Sequence, residues 1–124
     1  AGFFDGEGCV AIYPRKFVVS LTNTDIRPLV RAKETWGGFI SSQSAESRNG
    51  AIRDLFRWQI YGHSSVGFLR AIRPYVIIKS EQIDTYLEAV SLAPTKRGEK
   101  RTAPAKVVIK AADIRLRLLK RGAA

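Results

Sequence analysis

The chain has 124 residues, enough for one core but not two, and 45% of them are hydrophobic, which favours folding over disorder. It carries 21 Lys+Arg against 11 Asp+Glu, a net charge of +10, so a polyanionic partner is expected. One cysteine, Cys9, excludes an internal disulfide and a multi-cysteine zinc site; no run approaches the ~18 apolar residues of a membrane span, and no secretory or transit segment is visible, so no membrane partner and an intracellular place, organelle or prokaryotic cytoplasm alike, are expected.

Residues 1–9 are Ala-Gly-Phe-Phe-Asp-Gly-Glu-Gly-Cys. As a helix, they put Gly2, Asp5 and Gly6 at i, i+3 and i+4, on one face. Two glycines on one stripe cost about 1 kcal/mol each in helix propensity, a cost that makes sense where another backbone comes close. Gly8 suits the helix C-terminus, which puts Glu7 in the last turn. On spacing alone, a glycine-rich loop with two solvated acids fits equally well.

Residues 9–15 and 17–23 alternate apolar and polar around Pro14-Arg15-Lys16, which predicts a hairpin with Phe17, Val19 and Leu21 inward. Thr24-Asp25 signals a helix start and Gly37-Gly38 a stop, with Leu29, Val30 and Trp36 inward. Strands are predicted over 38–45, with Ile40 inward, and over 54–61, with Phe56, Trp58 and Ile60 inward; a polar tip ending in Asn49-Gly50 lies between them. Ser64-Ser65 opens a helix running to Val76 and interrupted by Pro74, and Ser80 caps the next, with Ile83, Leu87 and Val90 inward. Residues 93–105 read as a loop and 106–120 as a last helix. Ten of the 21 basic residues fall between Lys96 and Arg121.

The stretch Ala1–Gly8 resembles the LAGLIDADG motif of homing endonucleases, lacking only a leading leucine that would precede Ala1. With no methionine anywhere in the chain, this predicts that the natural chain extends further toward the N-terminus. The element order is that of the family's α/β (α+β) fold, αββαββα. Its curved four-stranded antiparallel sheet lies in the DNA major groove, with helices on the other face. The resemblance spans nearly the whole chain, read here as a single domain over 1–124. Its specific signals sit at residues 1–9 and 74–79.

The resemblance implies roles for particular residues. Two motif helices pack through their small residues at the centre of a dimer, so Ala1, Gly2, Asp5 and Gly6 are interface candidates. Glu7, with Gly6, matches the position that binds the catalytic divalent metal, Mg2+ or Mn2+, with Ca2+ as a non-catalytic substitute. Asp5 matches a structural acid. Lys79, in Pro74-Tyr75-Val76-Ile77-Ile78-Lys79, matches a lysine near the active-site water network. Asn23 falls where a polar residue touches the nucleophilic water and Arg27 where a basic residue borders the cut phosphates; Asn23-Thr24-Asp25 reads equally as a cap and turn. Metals held by one or two carboxylates suffice for phosphodiester hydrolysis, and a C2 homodimer supplies two.

Alternation names the polar strand face: Tyr13, Arg15, Ser20, Thr22, Ser41, Gln43, Arg57, Gln59 and Tyr61. Arginine can grip guanine, and glutamine adenine, in the major groove. Lys16, Arg48 and Arg53, near hairpin ends, suit phosphate contacts. His63 reads as a turn residue, Cys9 as a packing or DNA-facing residue, and Trp36 and Trp58 as core. The expected function is a site-specific, metal-dependent endonuclease making a staggered double-strand break in long, near-palindromic double-stranded DNA. The alternatives are an RNA-binding intron maturase or non-cleaving nucleic-acid binder with intron RNA as partner, and one half of a two-motif protein.

Overall fold

Period-2 alternation builds the centre of this protein. The computed structural model describes residues 1–14, 16–46, 49–50, 52–93 and 101–121. The elements are α1 (Gly2–Glu7), β1 (Gly8–Ile12), β2 (Phe17–Asn23), α2 (Arg27–Trp36), β3 (Phe39–Glu46) and β4 (Ile52–Tyr61), followed by α3 (Ser64–Ile72), a 3-10 turn (Arg73–Tyr75), α4 (Ser80–Val90) and α5 (Ala103–Lys120). The four strands form one antiparallel sheet in the order β1-β2-β4-β3.

Register sorts the strand residues onto two faces. Val10 pairs with Val19, Val19 with Ile60, and Leu21 with Trp58, which in turn pairs with Ile40. These residues face the helices and join Phe4, Leu29, Phe68, Leu69, Ile83, Tyr86, Ile109 and Leu116 in one continuous core. Edge-to-face contacts of Phe68 with Phe4, Trp36 and Trp58 knit α1, α2 and β4 together. Among the described residues, no helix packs over the opposite sheet face, whose Ser20, Thr22, Arg57 and Gln59 are half-buried and Ser41 and Gln43 exposed. α5 packs against α4 and β1, covering one edge strand that would otherwise offer unpaired backbone groups.

Several expectations are corrected. Trp36 is half-exposed rather than inward; its ring lies over Phe68 at the rim of the core. Pro74 ends a helix rather than interrupting one: α3 stops at Ile72, because the ring cannot donate to the helical ladder. Ser80 is the first residue of α4, not its cap; its hydroxyl turns back to the Ile77 carbonyl. The last helix begins at Ala103 rather than 106, with Pro104 in its first turn and the Thr102 hydroxyl accepting from the Ala105 N–H. Ser47, Arg48 and residues 94–100 of the expected loop lie outside the described residues. Among the described residues, no helix is long and apolar enough to cross a membrane.

Candidate active site and nucleic-acid interface

The site begins at the junction of α1 and β1. Gly8 ends α1 in an extended conformation, φ −80° and ψ 155°, so left-handed freedom is not why glycine stands there. A Cβ on Gly8 would lie 2.2 Å from the Phe4 ring. The missing side chain lets that ring fold back under the turn and drive α1 hard against β1. Phe4 is buried while Gly2 and Gly6 are exposed, and a Cβ on either glycine would meet nothing within 4 Å in this chain. α1 therefore shows the solvent a smooth, side-chain-free strip.

Asp5 turns inward along its own chain. Its Oδ2 accepts from the Ile77 N–H at 2.8 Å, and its Oδ1 from Ile78 at 3.0 Å and Lys79 at 3.1 Å. The Ile77 bond, joined by those from Lys79 and Ile78 and by the Lys79 charge, holds the Asp5 carboxyl below the usual carboxylate range against a smaller opposing effect of burial. The far side of the segment is anchored by Arg73, bonded to Asp84 at 2.6 and 2.8 Å. Residues 73–79 are thus strapped to α4 at one end and α1 at the other.

This strap delivers Lys79. Its ammonium donates to the Gly8 carbonyl and sits 5.9 Å from the Phe4 ring centroid. The cation lies directly beside the backbone that follows Glu7. Glu7 itself is exposed at the end of α1, and among the described residues no hydrogen bond or ion pair engages its carboxylate. No cluster of three or more His, Cys, Asp or Glu occurs among the described residues. One free carboxylate and the Gly6 backbone carbonyl next to it are hard oxygen donors, a set that suits a cation keeping most of its waters.

Asn23 and Arg27 serve the turn into α2. The Asn23 side-chain oxygen accepts from the Asp25 N–H at 2.9 Å, and Asp25 in turn accepts from the Arg27 N–H at 3.0 Å. The Arg27 guanidinium forks onto Asp25 at 2.5 to 3.0 Å, and this hydrogen bonding lowers the Asp25 carboxyl to about 2. Asn23 keeps its amide N–H donors outside these bonds, whereas the Arg27 charge is already matched.

The bare sheet face gathers the predicted reading residues. Ser20 pairs with Gln59, and Arg57 lies between Thr22 and Ser41, with Gln43 opposite Leu55. Tyr61 donates to Gln59 Oε1 at 3.0 Å. Lys16 and Tyr13 sit at the hairpin end, the Lys16 ammonium 5.5 Å from the Tyr13 ring and 5.6 Å from that of Tyr61. The Arg57 Nε is buried, with no hydrogen-bond partner among the described residues. Arg15 and Arg48 lie outside the described residues, as does the Arg53 side chain. Alternation also puts Leu55 on this face, together with Phe39, which is 67% exposed beside Tyr61. Lys120 was missed too: from the end of α5 its ammonium reaches Cys9 Sγ at 3.4 Å, on the same sheet face.

A helix closed by an acid, an antiparallel sheet bare on one side and helices on the other define the LAGLIDADG homing-endonuclease fold, as residues 1–9 led us to expect. Solved structures that share it include the following three. The archaeal intron-encoded homing endonuclease I-Vdi141I, complexed with DNA, superposes with a TM-score of 0.73 at 18% identity, over 95% of this chain and 79% of that one. I-CvuI, held on a DNA target with magnesium, gives 0.56 at 18% identity over 93% and 90%. I-SmaMI, bound to an uncleaved DNA target with calcium ions, gives 0.67 at 20% identity; this chain covers only 42% of it. No family profile and no curated relative matches the chain.

Proposed function

We propose that this chain is a site-specific, divalent-metal-dependent DNA endonuclease acting as a homodimer, with residues 1–124 as one domain. The observation that carries the reading is the Glu7 carboxylate, unpaired among the described residues at the end of a glycine-faced helix, with the Lys79 ammonium bonded to the Gly8 carbonyl one residue on. Glu7 and the Gly6 carbonyl would hold the cation, Mg2+ or Mn2+. Such a cation supplies an acidified water and offsets charge on the attacking and leaving oxygens. Lys79 keeps a fixed positive charge where negative charge grows, and its tether leaves nothing to reorganise during the reaction. The Asn23 amide can donate to a water at the same end of β2. The bare sheet face binds double-stranded DNA and reads base edges through Arg57, Gln59, Gln43, Ser20, Thr22 and Ser41. The structural neighbours held on DNA support DNA as the partner.

Pairing of two chains through α1 follows from the open strip at Gly2 and Gly6. It is supported by the strongly exposed Ile77 and Ile78, 82% and 76% accessible, which the Asp5 bonds hold next to that strip. Two copies would set two Glu7 carboxylates side by side at a two-fold axis, giving a staggered cut in a near-palindromic site.

The test is cleavage of a randomised-site DNA library by the purified protein with magnesium, beside Glu7→Gln. Discrete cuts that disappear in the variant while binding persists are expected. Tight binding with no cutting by the unmodified protein overturns the nuclease reading, and structured intron RNA then becomes the partner to test.

A further inference from the structure

The hairpin end of β1 shares a wall between two concavities. On the sheet face, Tyr13 and Pro14 border a shallow hollow with Lys16, Val18, Arg57 and Gln59. On their other side, the same two residues line a cavity of about 140 Å³ against α5, with Lys106 and Lys110 of that helix and Arg101, two residues before it, also in the lining. Among the described residues, none of these three cations has an ion-pair partner. The Arg101 guanidinium is steadied 4.9 Å above the Phe17 ring, and Lys106 and Lys110 stand one turn apart on α5. The single acid in the lining, Asp113, is occupied by Arg117 at 3.2 Å. Three unmatched positive charges converge in a recess, continuous through Tyr13-Pro14 with the face that carries the base-reading residues.

We propose that Arg101, Lys106 and Lys110 form a phosphate clamp that grips the backbone of the duplex lying on the sheet. The proposal rests on the reading that the sheet face binds DNA. The clamp adds affinity and positional grip without base preference, because phosphate contacts carry no sequence information. It also places some of the C-terminal positive charge within reach of the DNA path.

The test is the salt dependence of binding to a 30-base-pair duplex in calcium, comparing two variants of equal charge. Arg101→Gln/Lys106→Gln/Lys110→Gln removes the clamp. Arg31→Gln/Lys33→Gln/Arg70→Gln removes three exposed cations from α2 and α3, on the helical side of the sheet. Each lost phosphate contact lowers the slope of log affinity against log salt by about 0.9. With two copies on the duplex, six contacts are lost, so the clamp variant should lose roughly 5.4 from the slope, shrinking the affinity loss between 50 and 200 mM salt by roughly 2,000-fold, while the control loses less than about 0.9. Equal slopes for the two variants, or an unchanged slope for the clamp variant, overturn the clamp but leave the sheet-face reading standing. A parent protein that does not bind the duplex at all overturns both. Saturable binding of inorganic phosphate at millimolar concentration, lost in the clamp variant while its duplex slope is unchanged, assigns the recess to a free anion and also overturns the proposal.

Discussion

Gly8 offers the sharpest test of how α1 is seated. Its backbone angles are ones alanine adopts without strain, so Gly8→Ala costs nothing in conformation. What it adds is a methyl group 2.2 Å from one Phe4 ring atom and 2.5 Å from two others. One of those atoms is Cγ, at the root of the ring, so a small rotation cannot clear the clash. Phe4 is only 2% exposed and packs edge-on against Phe68 at 6.0 Å, which leaves the ring no free space to move into. Forced overpacking of a core costs about 1–3 kcal/mol, and the short contacts put Gly8→Ala near the top, about 2–3 kcal/mol. Urea unfolding at one fixed protein concentration measures it, since the proposed dimer would make stability concentration-dependent. A double-mutant cycle identifies the cause. Phe4→Ala alone should cost about 3–5 kcal/mol, but in that background Gly8→Ala should cost less than about 0.5 kcal/mol, because the methyl enters vacated space. A Gly8→Ala cost that is the same in both backgrounds would refute steric seating by Phe4.

Three further outcomes are expected. Asp5 has a lowered folded-state pKa, so its stabilisation is full above the unfolded value near 3.8 and is lost as pH falls through the folded value; Asp5→Asn should flatten stability against pH below about 4 and leave the neutral-to-basic range parallel to the parent, as read by urea midpoints across pH. Arg57→Ala should relax preference at one base pair in each half-site by about 1–3 kcal/mol, measured by binding to a single-substitution panel of the selected target, with the other positions unaffected. Ile77→Asp/Ile78→Asp should turn a dimer into a monomer in light scattering without changing the unfolding cooperativity of the chain; a persistent dimer would remove these residues from the pairing surface.

The sheet was legible because pairing has period two. The inward set Phe17, Val19, Leu21, Phe56, Trp58 and Ile60 could be read without knowing the strand order. Helix ends were less legible, since proline carries two messages. Pro74 closes α3, whereas Pro104 opens α5, and the local composition around Pro104 is that of a loop. The part of the site formed by long-range contacts was not legible at all. Asp5 meets backbone groups 72 to 74 residues away, and those N–H groups belong to residues whose side chains do not advertise them. The clamp cations were visible only as a basic stretch, because their convergence depends on α5 running along the β1 edge.

The two motif acids divide their work for a reason the hydrogen bonds make plain. Asp5 accepts three backbone N–H bonds, and a carboxylate so engaged is a poor ligand for a cation that must draw on the same lone pairs. Glu7, two residues on, is exposed and has no partner of its own among the described residues. The Asp5 bonds hold the Lys79 backbone, and its ammonium meets the Gly8 carbonyl, one residue past the free acid. Breaking the strap should therefore impair cutting even with Glu7 intact. Asp5→Asn retains an oxygen for Ile78 and Lys79 but loses the bond to Ile77, whereas Asp5→Ala loses all three. Cutting by the purified protein at neutral pH should fall in the order parent, Asn, Ala, with DNA binding nearly unchanged. Equal activity of the Asn and Ala variants would mean that charge at Asp5, rather than the tether it makes, is what Lys79 depends on.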